Sequence, residues 1–199
     1  HESHYDTQHL RGQRLYQLGT ISKIEGKEDL FSTTPAPMAP AMQQEFPEVE
    51  SYTRLMRLFL DDKTLFQYKS GNEVKPFYES QGYLADSTFF RLFSYHFKEG
   101  NGNTALNDPN SVVLSEETAV KIFGNEPALN KIIHINSNTN GNNDFKVTGV
   151  FIPSKTPSHI NARFIISMQS GNMGEWIKGM TNMVNNNMFY SYLLLKPGA

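Results

Sequence analysis

The sequence has no cysteine and only one tryptophan among its 199 residues. Without cysteine, the chain can form no disulfide, no thiolate metal site and no cysteine nucleophile. It also lacks a run of the ~18 apolar residues that a membrane-spanning helix needs, since its longest apolar segments, ARFIISM and YSYLLLK, are only the length of a strand. The remaining composition, with 38% hydrophobic residues, favours one large domain or two small ones with ordinary hydrophobic cores.

The charges of the chain give no sign of a polyanionic partner. Its 18 basic residues are dispersed among 20 acidic ones, for a formal net charge of -2. Nucleic-acid binding is therefore not expected, because it requires a clustered basic surface. The glycine-rich sites at Gly100–Gly102 and Asn140–Gly141 do not lead from a strand into a helix, and the sequence has no Gly-Lys-Ser/Thr. We therefore predict no P-loop for ATP and no cofactor.

The first 60 residues predict a β-α-β unit. The segments Arg14–Ile21 and Ser51–Leu60 are rich in apolar and β-forming residues, which is typical of strands. Between them, prolines at 35, 37 and 40 favour an extended lead-in or the first turn of a helix. Pro47 is expected to end this helix, because the residue before a proline disfavours the helical region. The apolar face of the predicted helix comprises Met38, Ala41, Met42 and Phe46.

Local patterns divide the rest of the chain into short elements. Ser70-Gly71-Asn72 lies between two β-prone segments and predicts a hairpin. Asp86 and Ser87 are both candidates for the N-cap of a short phenylalanine-rich helix. The polar segment SNTNGNND at 137–144 is expected to be a long turn between the strands KIIHI and FKVTGVFI. The segment 169–187 shows no clear helix or strand pattern, so no element is predicted there; it separates the last two strands.

The sharpest local motif is SVVLSEETAVKIFG at 111–124, which predicts a strand followed by a capped helix. Ser115 stands at the N-cap, where its hydroxyl can accept a backbone N–H. Gly124 follows the last turn, where a left-handed conformation costs it little. Glu116 and Glu117 suit the positive end of the helix dipole. The same two carboxylates would repel a bound phosphate, so we interpret the motif as structural.

Several longer segments together resemble the MacB-like periplasmic core domain, the extracytoplasmic part of permease subunits in the MacB/FtsX-like group of ABC transporters. They are HYDTQHLRGQRLYQL, then ADSTFFRLFSYHFKEGN with TALNDPNSVVLSEETAVKIFG, then FKVTGVFIPSKTPSHINARFIISM, and finally YSYLLLKPGA. The resemblance spans nearly the whole chain, in order. It departs from the family pattern after Pro197-Gly198, where a further helix would be expected.

The resemblance implies an α+β fold, a two-lobed mixed α/β domain. A porter-like lobe would be built from both chain ends, residues 1–73 and 159–199. A Sabre-like lobe, residues 74–158, would be inserted between them. Because the sequence begins at His1 and not at methionine, we also expect a secretory signal or a transmembrane helix to precede it.

The function implied by the resemblance is mechanical. The chain would be a non-catalytic periplasmic domain of a bacterial inner-membrane permease, membrane-anchored in the full-length protein. It would couple ATP-driven motion of transmembrane helices to movement or partner engagement outside the membrane. The implied partners are a second permease copy or repeat, the cytoplasmic ATPase acting through the transmembrane helices, and a periplasmic adaptor protein. The isolated domain is expected to be a monomer.

Few side chains are candidates for chemistry. Imidazoles and carboxylates crowd the N-terminus and are good metal ligands, but their spacing matches no zinc pattern, so no metal site is predicted. Ser115, His134 and Asp144 could supply a triad, yet no oxyanion hole or strained elbow accompanies them. His159 is predicted to fix its loop by a hydrogen bond. The N-terminal residues in question are His1, Glu2, His4, Asp6 and His9.

Two sets of residues are candidate contact surfaces. An aromatic set is predicted to form a lobe core, with the alternative that an exposed ring serves as a docking patch. Trp176, in the methionine- and asparagine-rich segment Met173–Met188, is expected to pack in a loop, with contact to a partner as the alternative. The aromatic set comprises Phe89, Phe90, Phe93, Tyr95 and Phe97.

Two other functions remain open from the sequence alone. A secreted or periplasmic small-ligand-binding module would need a deep pocket between lobes, with converging polar and aromatic groups. A periplasmic hydrolase would need an assembled triad or a metal site.

Overall fold

The structure, a computed structural model, describes residues 12–24, 27–61, 63–153 and 159–199. These residues form a mixed α+β fold with many short strands and few helices, which confirms the predicted fold class. The strands are β1 (Leu15–Gln17), β2 (Thr20–Ile24), β3 (Lys27–Phe31), β4 (Val49–Arg57), β5 (Thr64–Ser70), β6 (Glu73–Glu79), β7 (Gly82–Ala85), β8 (His96–Gly100), β9 (Ser111–Ser115), β10 (Ile132–Ser137), β11 (Gly141–Ile152), β12 (Phe164–Ser167) and β13 (Tyr190–Leu195). The helices are α1 (Met38–Glu45), α2 (Phe89–Leu92), α3 (Glu116–Phe123) and α4 (Gly171–Lys178).

Eleven of the described strands form one mixed sheet. Its order is β1-β13-β4-β7-β12-β9-β11-β10-β5-β6, and β8 pairs with the C-terminal part of β11. Most neighbours are antiparallel, whereas β7 is parallel to β12 and β9 is parallel to β11. The order in the sheet departs strongly from the order along the chain, so distant parts of the sequence meet in its centre.

The β-α-β unit predicted for the first 60 residues is present, but its two strands are not neighbours. β13 lies between β1 and β4 and is antiparallel to both, so β1 and β4 run parallel. α1 ends where Pro47 requires, because Phe46 is extended, with φ -113° and ψ 108°. The predicted apolar face of α1 is partly wrong. The helix packs on β4 and β13 through the buried Ala39, while Phe46 is 45% exposed.

Apolar residues alternate between the two faces of the central strands, and each face has its own core. Leu55 and Met56 in β4 are both 1% exposed, but they belong to different cores. α3 and α4 cover the face of Met56, and α2 covers the face of Leu55. A slip of one residue would exchange the two sets of side chains, so the register of these strands is strongly specified.

One hairpin lies outside the large sheet and another forms its edge. β2 and β3 form a separate two-stranded sheet that the sequence does not predict. The predicted strand Arg14–Ile21 is interrupted at Leu18 and Gly19, and its end belongs to this hairpin. The β5–β6 hairpin is present as predicted, and Gly71 in its turn has φ 62°, a conformation that glycine adopts without strain.

Residues 137–144, predicted to be a long turn, belong mostly to strands. β10 and β11 leave only residues 138–140 for the turn. Asn142 and Asp144 are exposed on one face of β11, while Phe145 is buried on the other. The prediction is wrong because a strand that is half exposed accommodates polar residues on its open face.

α4 lies within residues 169–187, for which the sequence predicts no element. Its first turn is held from a distance, since the side-chain oxygen of Asn140 accepts a hydrogen bond from the backbone N–H of Met173 at 3.2 Å. Gly171 permits this approach, because a Cβ there would lie 2.6 Å from the carbonyl oxygen of Asn140. The β10–β11 turn thus stabilises α4, and local propensity cannot reveal such a contact.

The boundaries of the porter-like and Sabre-like lobes stay a prediction. The large sheet runs through both predicted segments, since β7, from residues 74–158, pairs with β4 and β12 from the two outer segments.

Candidate functional site

The two ends of the described chain leave the sheet side by side. Leu15 in β1 lies opposite Leu194 in β13. A guanidinium N–H of Arg14 donates to the carbonyl oxygen of Leu195 at 2.6 Å. The same nitrogen is 2.8 Å from a carboxylate oxygen of Glu50 in β4. A displacement of either end therefore reaches the same three adjacent strands, β1, β13 and β4.

A mostly buried ion pair, which we call the Arg54–Asp86 clamp, fastens β4 to the segment before α2. Its two guanidinium–carboxylate hydrogen bonds are each 2.9 Å long, and its side chains are only 12% and 15% exposed. The backbone N–H of Arg54 also donates to Asp86, and a further guanidinium N–H donates to the carbonyl oxygen of Ala36, both at 2.8 Å. The clamp thus joins three segments that are far apart in the sequence.

This geometry corrects the prediction that Asp86 or Ser87 caps α2. The N-cap is Thr88, whose hydroxyl donates to the carbonyl oxygen of Tyr52 at 2.6 Å, while both carboxylate oxygens of Asp86 bind Arg54. Burial alone would lower the pKa of Arg54, but the hydrogen bond and the charge of Asp86 outweigh it and raise the pKa. Arg54 therefore stays charged.

The residues considered for a catalytic triad are not assembled. Nδ1 of His134 and Oδ1 of Asp144 are 2.8 Å apart on the neighbouring strands β10 and β11. Ser115 instead lies opposite Phe151, seven residues along β11 from Asp144 and so roughly 20 Å away. As predicted, Ser115 caps α3, since its hydroxyl oxygen accepts the backbone N–H of Thr118 at 3.2 Å.

The five N-terminal residues with side chains able to bind metal all lie outside the described residues: His1, Glu2, His4, Asp6 and His9. Within the described ranges, no group of three or more histidine, aspartate or glutamate side chains is placed to hold a metal ion. His159 is exposed, and its role in fixing a loop stays a prediction.

A family model described as the MacB-like periplasmic core domain matches residues 2–199 of the sequence. The chain belongs to this family. It is therefore the periplasmic domain of a MacB-like ABC transporter permease. No curated protein matches the sequence significantly.

Two solved structures share the fold of this MacB-like domain. A domain of a protein described as a permease, from Porphyromonas gingivalis, matches with a TM-score of 0.71 and 24% identity, over 96% of this chain and 76% of that one. The periplasmic region of MacB from Actinobacillus actinomycetemcomitans matches with a TM-score of 0.51 and 14% identity, over 84% of this chain and 67% of that one. At these identities the likeness concerns the fold alone.

A small pocket of the MacB-like domain lies beside the C-terminal end of α3. Its volume is about 170 Å³, and charged residues form part of its lining. These charges already have partners: Lys98 and Glu116 are 2.7 Å apart, and Glu126 binds Lys131. Glu99 accepts two backbone N–H groups. Ligand pockets are commonly about 300–1,000 Å³, so this pocket does not match the deep site of a small-ligand module.

The aromatic residues around α2 form a core of the MacB-like domain, as predicted. Phe89, Phe90 and Phe93 are at most 7% exposed, and Tyr95 and Phe97 pack against them. The rings of Phe90 and Phe97 meet edge to face at 4.9 Å.

The last two observations concern the tryptophan and the helices of the MacB-like domain. Trp176 lies on α4 and not in a loop, and it is 40% exposed, so the expected packing in a loop is wrong. Contact with a partner stays the untested alternative. None of the helices in the described part of the chain is long and apolar enough to cross a membrane.

The Arg54–Asp86 clamp is not predicted from the sequence, although one feature of the sequence indicates a buried charge. Arg54 precedes the apolar pair Leu55 and Met56 within a predicted strand. A charged side chain in such a strand is costly to bury unless it has a counter-charge. The identity of that partner, 32 residues away, is fixed only by the pairing of β4 with β7.

Proposed function

We propose that this domain is a non-catalytic lever that converts ATP-driven movement of transmembrane helices into movement in the periplasm. The observation that carries the proposal is the meeting of both chain ends on neighbouring strands, with Arg14 bound to Leu195 and Glu50. If each end continues into a transmembrane helix, the two helices act on one point of the sheet.

Stiffness between that point and the rest of the domain supports the proposal. β13 is hydrogen-bonded to both β1 and β4, so a pull on either chain end is shared by three strands. The Arg54–Asp86 clamp then connects β4 to the segment before α2 and to the chain before α1. The buried cores on both faces of β4 oppose sliding between strands. Movement is therefore expected as a rigid-body displacement of the domain.

The partners follow from this role. They are a second permease copy or repeat, which would share the movement, and the cytoplasmic ATPase, which would drive it through the transmembrane helices. A periplasmic adaptor protein is a further candidate. No nucleic acid and no cofactor is required by the proposed function.

Pulsed electron paramagnetic resonance on the full-length permease, assembled with its ATPase in nanodiscs, tests the coupling. The domain has no cysteine, so Asn72→Cys in the exposed β5–β6 turn provides one spin label per copy once other cysteines of the permease are replaced. We expect the distance between the labels of two copies to differ between the ADP-bound and the vanadate-trapped states.

A flexible insertion at the chain end should abolish this difference. Six Gly/Ser residues inserted between Lys196 and Pro197 form a flexible linker with an end-to-end distance of about 13 Å. We expect this linker to uncouple the sheet from the following helix while ATP hydrolysis continues. The same insertion between the exposed Asp108 and Pro109 is the matched control and should preserve the difference. The proposal would be contradicted if the parent protein showed no difference in label distance between the two nucleotide states, or if the insertion after Lys196 left that difference unchanged.

A further inference from the structure

The β2–β3 hairpin lies outside the large sheet, and none of its residues belongs to the buried cores of the described chain. It forms a two-stranded sheet of its own, and the outer edge of each strand carries no other strand among the described residues. A lone two-stranded hairpin is marginally stable in water. Ile21 and Leu30 lie opposite each other in it and are 60% and 78% exposed. The hairpin therefore presents open backbone groups and apolar side chains together, as a strand that pairs with another chain does.

The hairpin leaves the sheet at the end of β13 that is opposite to the chain ends. The backbone N–H of Leu18 donates to Ser191, and Thr34 pairs with Phe189 where the chain returns. The chain ends meet at Leu195, four residues after Ser191 and six after Phe189, and so roughly 14–20 Å away. In a permease anchored through these ends, the base of the hairpin lies on the side away from the anchors.

We propose that β2 pairs with β2 of a second copy of this domain, antiparallel and across a two-fold axis at Ser22. The presence of the second copy rests on the proposed function. The two hairpins then form one four-stranded ribbon in the order β3-β2-β2-β3. In it, Ile21 lies opposite Lys23 of the second copy, and the two Ser22 residues lie opposite each other.

Charge selects β2 rather than β3 as the contact edge. In the register that pairs all five residues of β2, TISKI, the centre is Ser22 and no like charges are opposed. The same register of β3, KEDLF, places the carboxylate of Asp29 opposite its own copy, and like charges directly opposite are destabilising. β2 is also richer in β-branched residues, which favour strands.

The side chains of the hairpin suit this arrangement. Lys23 and Glu28 form an ion pair of 2.6 Å across the hairpin, on the same face as Ile21 and Leu30. In the ribbon, the aliphatic stem of Lys23 covers Ile21 of the second copy, while its ammonium keeps Glu28 as a partner. Apolar surface is thereby removed from water without leaving a buried charge unpaired.

The contact is small, and this determines where it forms. One five-residue strand buries far less than the ~800 Å² per partner of a standard interface, which is consistent with the expectation that the isolated domain is a monomer. Anchoring two copies in one permease raises their effective concentration to the order of millimolar. The ribbon therefore forms in the assembled permease.

Disulfide cross-linking in membranes that contain the full-length permease tests the pairing. Ser22→Cys places one thiol in each copy of a permease whose other cysteines are replaced. Opposed Cα atoms of antiparallel strands are about 4.5–5.5 Å apart, within the range of a disulfide. Asp29→Cys is the matched control, because Asp29 lies directly across the hairpin from Ser22. In the ribbon, three strand spacings, about 14 Å, separate it from its copy.

Under mild oxidation, we expect the linked dimer to form at least ~10-fold faster for Ser22→Cys than for Asp29→Cys, since only the first pair meets disulfide geometry. Equal rates, faster linkage of Asp29→Cys, no linkage at either position, or linkage of Ser22→Cys to a different protein would each overturn the inference. If the pairing fails while the nucleotide-dependent distance change at Asn72 persists, the ribbon alone is refuted and the lever function stands.

Discussion

Removing the carboxylate of Asp86 is expected to destabilise the domain strongly. In Asp86→Ala, the guanidinium of Arg54, only 12% exposed, keeps a hydrogen bond to Ala36 and lies 5.8 and 5.9 Å from the rings of Tyr52 and Phe189. The loss of one partner from a buried ion pair costs about 3–5 kcal/mol, because the other charge loses its counter-charge while it stays mostly out of water. For a domain of this size, that loss lowers the melting temperature by roughly 6–20 °C.

Equilibrium unfolding in urea, followed by circular dichroism and by the fluorescence of Trp176, measures this loss. The matched comparison is Arg54→Met combined with Asp86→Ala, which leaves no buried charge. It should recover about 1–3 kcal/mol relative to Asp86→Ala alone. The reasoning is refuted if Asp86→Ala costs less than about 1 kcal/mol, or if the double variant is the less stable of the two.

Two further predictions concern β4. The hydroxyl of Thr53 is fully buried without a hydrogen-bond partner, so Thr53→Val should raise the free energy of unfolding by about 1 kcal/mol. The control is the equally buried Thr34, whose hydroxyl lies 2.7 Å from that of Ser191. Thr34→Val should lower the free energy of unfolding, because it removes this hydrogen bond. A lower free energy of unfolding for both variants would contradict the prediction. Burial, and then the charge of Asp86, raise the pKa of Tyr52 above 10.0, against an opposing effect of Arg54. Because the folded state holds this proton more tightly, the contribution of Tyr52 is fully present below about pH 10 and is lost as the pH rises through the raised pKa. In urea unfolding, the free energy of unfolding should therefore fall less for Tyr52→Phe than for the parent domain as the pH rises above about 10. An identical fall in both proteins would contradict the raised pKa of Tyr52.

Elements whose signals are local can be predicted from the sequence. α3 has a serine at its N-cap, two glutamates in its first turn and a glycine after its last residue, and all three agree with the structure. The end of α1 follows from Pro47 alone. In both cases the physical cause lies within a few residues of its effect.

Elements that depend on distant contacts cannot be predicted in this way. The first turn of α4 is held by Asn140, which accepts the backbone N–H of Met173, 33 residues later. The β2–β3 hairpin belongs to neither core, so its strands do not show the one-sided alternation that marks a half-buried strand. The Arg54–Asp86 clamp forms only because β4 pairs with β7, and this pairing depends on the arrangement of all the strands in the sheet.

The place of β13 in the sheet has a consequence for synthesis of the protein. β1 and β4 emerge from the ribosome before β13, the strand that separates them, and β13 is completed only 138 residues after Arg57. At about 5–20 residues per second, the gap between them stays unfilled for on the order of ten seconds. During that interval the nascent chain exposes two unsatisfied strand edges and the apolar surface beneath α1, and β13 then completes this part of the sheet.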